Sequence, residues 1–173
     1  MRRKLHNDRR NLRRAAWRLR RAARVHGVLG RDPMAQMSDA DRDAFLAVNR
    51  YGILSTLRRG GSPIAIPVWF DWDGSSVRMF TTAGSPKLRR LANDARASVL
   101  VTNHVDEKEK WVAFDGTVAV SDEGGLELAE KLAQRYWDLN DPIRATALKS
   151  WRAMESEWRL LEMVPDNVRT YAD

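Results

Sequence analysis

The sequence predicts an α+β protein built on a mainly antiparallel β-barrel of about six strands with short helices inserted. Two observations carry this. Short runs of alternating apolar and polar residues are punctuated by turn signals such as Arg59-Gly60-Gly61 and Asp73-Gly74. Most of these runs follow one another as hairpins, with the helical patterns set between them, which favours antiparallel pairing. At 173 residues one domain, with a tail, is the expectation, and the chain is long enough for a sizeable core.

Taken in order, Ser38 to Val48 reads as a helix opened by Ser38-Asp39-Ala40-Asp41, with Phe45, Leu46 and Val48 facing inward. Tyr51 to Leu57 reads as the first strand. Pro63 to Trp72 reads as the second, with Ile64, Ile66, Val68, Phe70 and Trp72 on one face and Ala65, Pro67, Trp69 and Asp71 on the other. Pro67 cannot donate to a ladder, so it implies an edge, a bulge or a close ligand. Val77 to Thr82 is the third strand and Ser98 to Thr102 the fourth. Asn103 to Lys108 is a polar loop. Lys110 to Val120 is a long strand bent at Gly116. Asp122 is expected to open a helix through Leu126, Ala129, Leu132, Ala133 and Tyr136. Asp141-Pro142 opens another through Leu148, Trp151 and Met154. Glu157 to Val164 is the last expected strand, stopped by Pro165.

Charge divides the chain unevenly. Residues 1–33 hold 12 Lys/Arg against 2 Asp/Glu, a balance of +10, whereas the remaining 140 residues hold 18 against 21, a balance of −3. Residues 1–37 therefore form a basic extension, helical or disordered, ahead of a body at 38–173. Leu5, Leu12, Leu19 and Val25 could line one side of a basic amphipathic helix that touches an anionic membrane surface or nucleic acid. The plainer readings are a solvated tail, or a region upstream of the true start, since Met34 and Met37 both precede the helix signal. The body itself gives no reason to invoke nucleic acid. There is no cysteine, so disulfides and thiolate metal sites are excluded, and no apolar run approaches the roughly 20 residues of a membrane span. A cytoplasmic protein, peripheral to the membrane at most through its extension, is expected.

One stretch organises the body: Met79-Phe80-Thr81-Thr82-Ala83-Gly84-Ser85-Pro86-Lys87, followed by Leu88 to Arg96. A strand ends in two hydroxyl residues, a small-residue turn follows, and Ser85-Pro86 supplies an N-cap and a proline at the first helical position. Leu88, Leu91, Ala92 and Ala95 form one apolar stripe. Thr81, Thr82 and Ser85 offer hydroxyls and Lys87 a point charge, with Arg90 on the Lys87 face at i, i+3, so a helix start of this kind suits an anion. An ordinary capped helix with a solvated basic face has the same spacing.

Phe80-Thr81, then Ser85-Pro86-Lys87, then Asn93-Asp94-Ala95-Arg96 and Ser98 to Val101 resemble the flavin-phosphate site of the pyridoxamine-phosphate-oxidase-like split β-barrel superfamily. The match is clearest from Gly52 to Thr102. It departs at Pro86, where the phosphate-binding oxidases usually have arginine. The resemblance implies a split barrel and a homodimer with cofactor sites at the interface. It places the cofactor ring near Ile66, Pro67, Val68 and Trp69, and the phosphate end at Phe80, Thr81, Thr82, Ser85, Lys87 and Arg90. Pro67-Val68-Trp69-Phe70 followed by Asp71-Trp72-Asp73-Gly74 is most similar to the branch that uses the deazaflavin coenzyme F420. The chain lacks a basic residue near Trp69 and the Arg-Leu-x-Pro ending of the oxidases proper, which disfavours pyridoxamine phosphate as substrate.

The remaining residues offer little chemistry of their own. Of three histidines, His6 and His26 lie in the extension and His104 in a polar loop, so no metal is expected and no nucleophile triad can be argued. That pattern suits a protein whose cofactor carries the reaction. The expected function is an oxidoreductase passing hydride between reduced F420 and a small organic acceptor, with no catalytic side chain assigned. FMN in the same site is one alternative; a non-catalytic flavin or haem carrier is another. Of the seven tryptophans, Trp69 is the candidate ligand wall and most others are expected in the core or a dimer interface.

Overall fold

The computed structural model describes residues 36–173, so the basic extension and its expected helix lie outside the described residues. Ser38 accepts a hydrogen bond from the Asp41 N–H at 3.1 Å and caps helix α1 (Asp39–Ala47). Phe45 and Leu46 are buried as expected. Val48 is not: the helix has ended, its backbone is extended, and the side chain is 46% exposed. Met37, counted with the extension on sequence grounds, donates its N–H to Thr170 Oγ1 at 2.9 Å and packs against the core.

Two antiparallel sheets follow. The first has the order β2 (Pro63–Val68), β1 (Gly52–Leu57), β5 (Arg96–Thr102), β6 (Lys110–Thr117), β9 (Pro165–Ala172). The second has the order β3 (Asp71–Trp72), β4 (Val77–Thr82), β8 (Trp158–Met163), β7 (Ala119–Ser121). The chain crosses between them four times: at three corners, Trp69-Phe70 between β2 and β3, Val118 between β6 and β7, and Val164 between β8 and β9, and once through the helical segment between β4 and β5. Two of the expected strands are thus each cut in two. A register shift at Asp115/Gly116 prepares the second corner, and a Cβ on Gly116 would stand 3.2 Å from the Val164 carbonyl oxygen. Pro67 lies on β2, an edge strand, where its missing N–H is tolerated.

Between the sheets the alternating side chains meet. Leu54, Phe70, Val77, Met79, Val99, Val101, Val112, Phe114, Leu161 and Met163 are fully buried. Pro165, expected to end the last strand, instead begins β9, a position where proline removes no bond that the ladder needs. Its partner is β6, in register from Lys110↔Ala172 to Phe114↔Val168.

The inserted helices are α2 (Pro86–Asn93), α3 (Gly125–Tyr136) and α4 (Pro142–Arg152). In α2, Leu91 is buried and Leu88 packs on the core, but Ala92, expected in the apolar stripe, is exposed. Helix α3 starts later than Asp122, at Gly125, after a left-handed Gly124 (φ 79°). A Cβ on Gly125 would lie 2.6 Å from the Arg159 nitrogen, so only glycine lets this helix start against β8. Asp141 accepts from the Ile143 N–H at 2.9 Å and caps α4.

Candidate functional site

The Trp69-Phe70 corner faces two of the helices. Phe70 turns into the core, fully buried, while Trp69 turns toward the C-terminal end of α3. Its indole stacks on Tyr136 at 4.9 Å with the planes 4° apart, and meets Trp137 edge-on at 5.1 Å. Trp137 in turn lies 4.9 Å from Trp151 of α4, and Phe80 of β4 meets Trp69 edge-on at 5.9 Å. Aromatic pairs at these separations add to simple area burial. The Tyr136 hydroxyl donates to the Arg50 carbonyl at 2.6 Å, which fixes the ring under Trp69; burial pushes that phenol above its ordinary value.

These side chains wall a cavity of about 340 Å3 lined by Tyr51, Pro67, Val68, Trp69, Phe80, Lys87, Trp137 and Trp151. Lys87 is the one cation on this lining, and no carboxylate shares it. Burial, then the charge of Arg90 one turn on, holds the Lys87 ammonium below the ordinary lysine value. Among the described residues Lys87 forms no ion pair, so it is a partly desolvated cation facing an apolar cleft. A flat ring ending in an anion fits this lining: faces and edges for the ring, one charge for the anion.

Of the residues expected to hold a cofactor, Pro67, Val68, Trp69, Phe80 and Lys87 therefore come together. The others stand apart from the lining. Ile66, on the face of β2 opposite Pro67, packs on the core. Thr81 is buried in β4, opposite Arg159. Thr82 is exposed at the end of that strand, and its carbonyl accepts the Ser85 N–H at 2.9 Å. Ser85 has the extended backbone of an N-cap, but its hydroxyl makes no capping bond. Arg90 turns toward β1, where its Nε donates to Thr56 Oγ1 at 2.9 Å.

Three lining residues were not singled out from the sequence. Tyr51 precedes the first strand and reads as its first residue. Trp137 and Trp151 read as core or interface aromatics. The position of Trp137 and Trp151 at the C-terminal ends of the two consecutive helices between β7 and β8 was the available signal.

A split barrel with an aromatic cavity at a strand corner and one lysine beside a helix start is the architecture of the split-barrel cofactor-binding class. The model of the pyridoxamine 5'-phosphate oxidase family matches residues 38–169, and the chain belongs to that family. An F420H(2)-dependent biliverdin reductase of Mycobacterium tuberculosis (strain CDC 1551 / Oshkosh) is 36% identical over 105 residues, covering 58% of this chain and 73% of that protein. Among solved structures, an F420 reductase superposes with a TM-score of 0.60 at 23% identity, covering 73% of this chain and 94% of its own. An FAD and heme binding protein from Mycobacterium smegmatis superposes at 0.61 and 24% identity, covering 82% and 74%. Both share the fold.

Proposed function

We propose that the chain transfers hydride between reduced coenzyme F420 and a small organic acceptor. The observation that carries this is the aromatic cavity with the partly buried Lys87 as the one cation on its lining. The cofactor named for the 36%-identical reductase agrees with it. When bound, the deazaflavin ring supplies the hydride. Trp69 and Phe80 offer apolar surface to that ring, and Pro67 and Val68 bring the β2 backbone beside it. Lys87 holds the cofactor's anionic end, and Ser85, whose hydroxyl makes no capping bond, stands two residues before it. Trp137 and Trp151 exclude water from the side facing the helices. The proton that completes the reduction comes from solvent or a neighbouring group.

FMN is the second reading, because a single lysine also suits a single phosphate. For a haem carrier the support is weaker: His104, the one histidine among the described residues, does not line the cavity. Titrating F420 and FMN while following tryptophan fluorescence separates these readings. Submicromolar binding of F420 alone, followed by turnover in an acceptor screen that begins with biliverdin, supports the proposal. Binding of neither cofactor refutes it.

A homodimer with sites that use both chains belongs to the same proposal. A cofactor-competent monomer in sedimentation would remove it. The extension is proposed to supply salt-sensitive binding to anionic lipid or nucleic acid, lost on deletion of residues 1–33 with cofactor affinity unchanged. No helix among the described residues is long and apolar enough to cross a membrane.

A further inference from the structure

Lys87 stands where a protonated amine is disfavoured. It is the second residue of α2, in the first turn, where the unpaired backbone N–H groups and the helix dipole oppose a positive charge. Its neighbours on the cavity lining include Trp69, Phe80, Trp137 and Trp151, which replace water without offering an acceptor in its place. Among the described residues, cation–π contacts are made by Arg42, Arg50 and Arg135 and not by Lys87. Arg90, one turn on, adds a like charge, and its Nε bond to Thr56 Oγ1 at 2.9 Å keeps it there. No carboxylate answers: Lys131 gives its ammonium to Asp71 at 2.8 Å, whereas Lys87 has no ion pair among the described residues. The depressed Lys87 value follows from this setting. A lysine so placed is a nucleophile. The neutral amine is the form that attacks a carbonyl, and apolar surroundings or an adjacent cation favour that form.

We propose that Lys87 condenses reversibly with flat aromatic aldehydes that enter the aromatic cavity, forming an imine at Nζ. The ammonium first gives one proton to solvent. The amine nitrogen then attacks the carbonyl carbon, and a C–N bond forms. The C–O bond breaks next, and the oxygen leaves as water with the two amine protons. No oxidant or reductant is consumed. The walls set the class of aldehyde. Trp69, Trp137 and Trp151 offer rings beside the amine, and the Trp158 indole N–H donates to the Trp151 carbonyl at 3.1 Å, which holds that wall in place. An aromatic aldehyde gains ring contacts there beyond its burial, and an aliphatic one does not. None of this draws on the hydride-transfer reading.

Trapping on the full chain, with no cofactor present, tests this. The chain is treated at neutral pH with naphthalene-2-carbaldehyde or with propanal, each with cyanoborohydride to reduce the imine to a stable secondary amine, and the adducts are located by peptide mass mapping. Lys87 should be labelled ahead of the exposed Lys108, Lys110 and Lys149 with both aldehydes. Its lead should be about two- to tenfold larger with the naphthaldehyde, the ratio expected from one aromatic contact. Trp137→Leu/Trp151→Leu should remove that difference between the aldehydes. Labelling of Lys87 no greater than that of the three exposed lysines overturns the imine site, and an equal lead with both aldehydes overturns its aromatic selectivity. Both comparisons are made on the wild-type chain, so they stand even where the tryptophan variant fails to fold. Excess F420 should protect Lys87 from the aldehyde. Labelling that F420 leaves unchanged would refute the anchoring of that cofactor at Lys87 and leave the imine site standing.

Discussion

Trp69 and Tyr136 lie in parallel stack 4.9 Å apart, one at a barrel corner and the other at the end of α3, 67 residues later in the chain. The stack joins the barrel to the helical layer at the cavity wall. Tyr136→Phe keeps the ring and loses the hydroxyl bond to the Arg50 carbonyl, which should lower unfolding free energy by about 1 kcal/mol. Tyr136→Ala removes the ring as well and should cost about 2–3 kcal/mol, at the low end for a large aromatic because the residue is only half-buried. Urea denaturation of the two variants measures both. Cofactor affinity should fall only in the alanine variant, since only there does Trp69 lose its support.

Lys87→Ala removes one charge-assisted contact to an anion, worth about 1.5–3 kcal/mol. Affinity for F420 should fall by about ten- to a hundredfold in a fluorescence titration.

The same lysine sets a pH dependence of stability. Its folded value is depressed by burial and by Arg90, whereas the unfolded chain titrates near 10.5. Between the folded value and 10.5 the unfolded chain holds more protons, so ligand-free stability should rise with pH across that window. Below the folded value the unfavourable contribution is present in full. Lys87→Met should therefore raise the ligand-free Tm at neutral pH and flatten its rise in the alkaline range, a pattern read by thermal melts from pH 7 to 11.

Ser85→Ala distinguishes capping from binding. An N-cap serine normally contributes about 1 kcal/mol, but here the hydroxyl makes no bond to the helix. Stability should stay within about 0.5 kcal/mol of wild type in denaturation. Any loss of cofactor affinity then reports a contact to ligand.

Asp141→Ala is the converse case. The carboxylate caps α4 through the Ile143 N–H, so about 1 kcal/mol of stability should be lost. Because α4 carries Trp151, cofactor affinity should weaken along with it.

The elements that announce themselves locally were legible in the sequence. Ser85-Pro86 and Asp141-Pro142 mark helix starts through rules of one turn, and Pro67 marks an edge through its missing donor. What was not legible depends on distant partners. Pro165 looks like a stop until β6 is seen to offer β9 an edge. The second strand looks continuous through Trp72, because its alternation survives the corner at Trp69-Phe70. The site was half visible: Pro67, Val68, Trp69, Phe80 and Lys87 lie on consecutive strands and the next helix, whereas Trp137 and Trp151 arrive from elements far along the chain.

Gly125 gives the helical wall a fulcrum. Its Cα rests where a Cβ would strike the β8 backbone at Arg159, and Tyr136 rides about 16 Å away at the far end of a stiff rod. A tilt of a few degrees about that pivot swings the far end by roughly an ångström over this length. Alanine at position 125 would have to push the rod off the strand, and the displacement would emerge as a change in the width of the cleft.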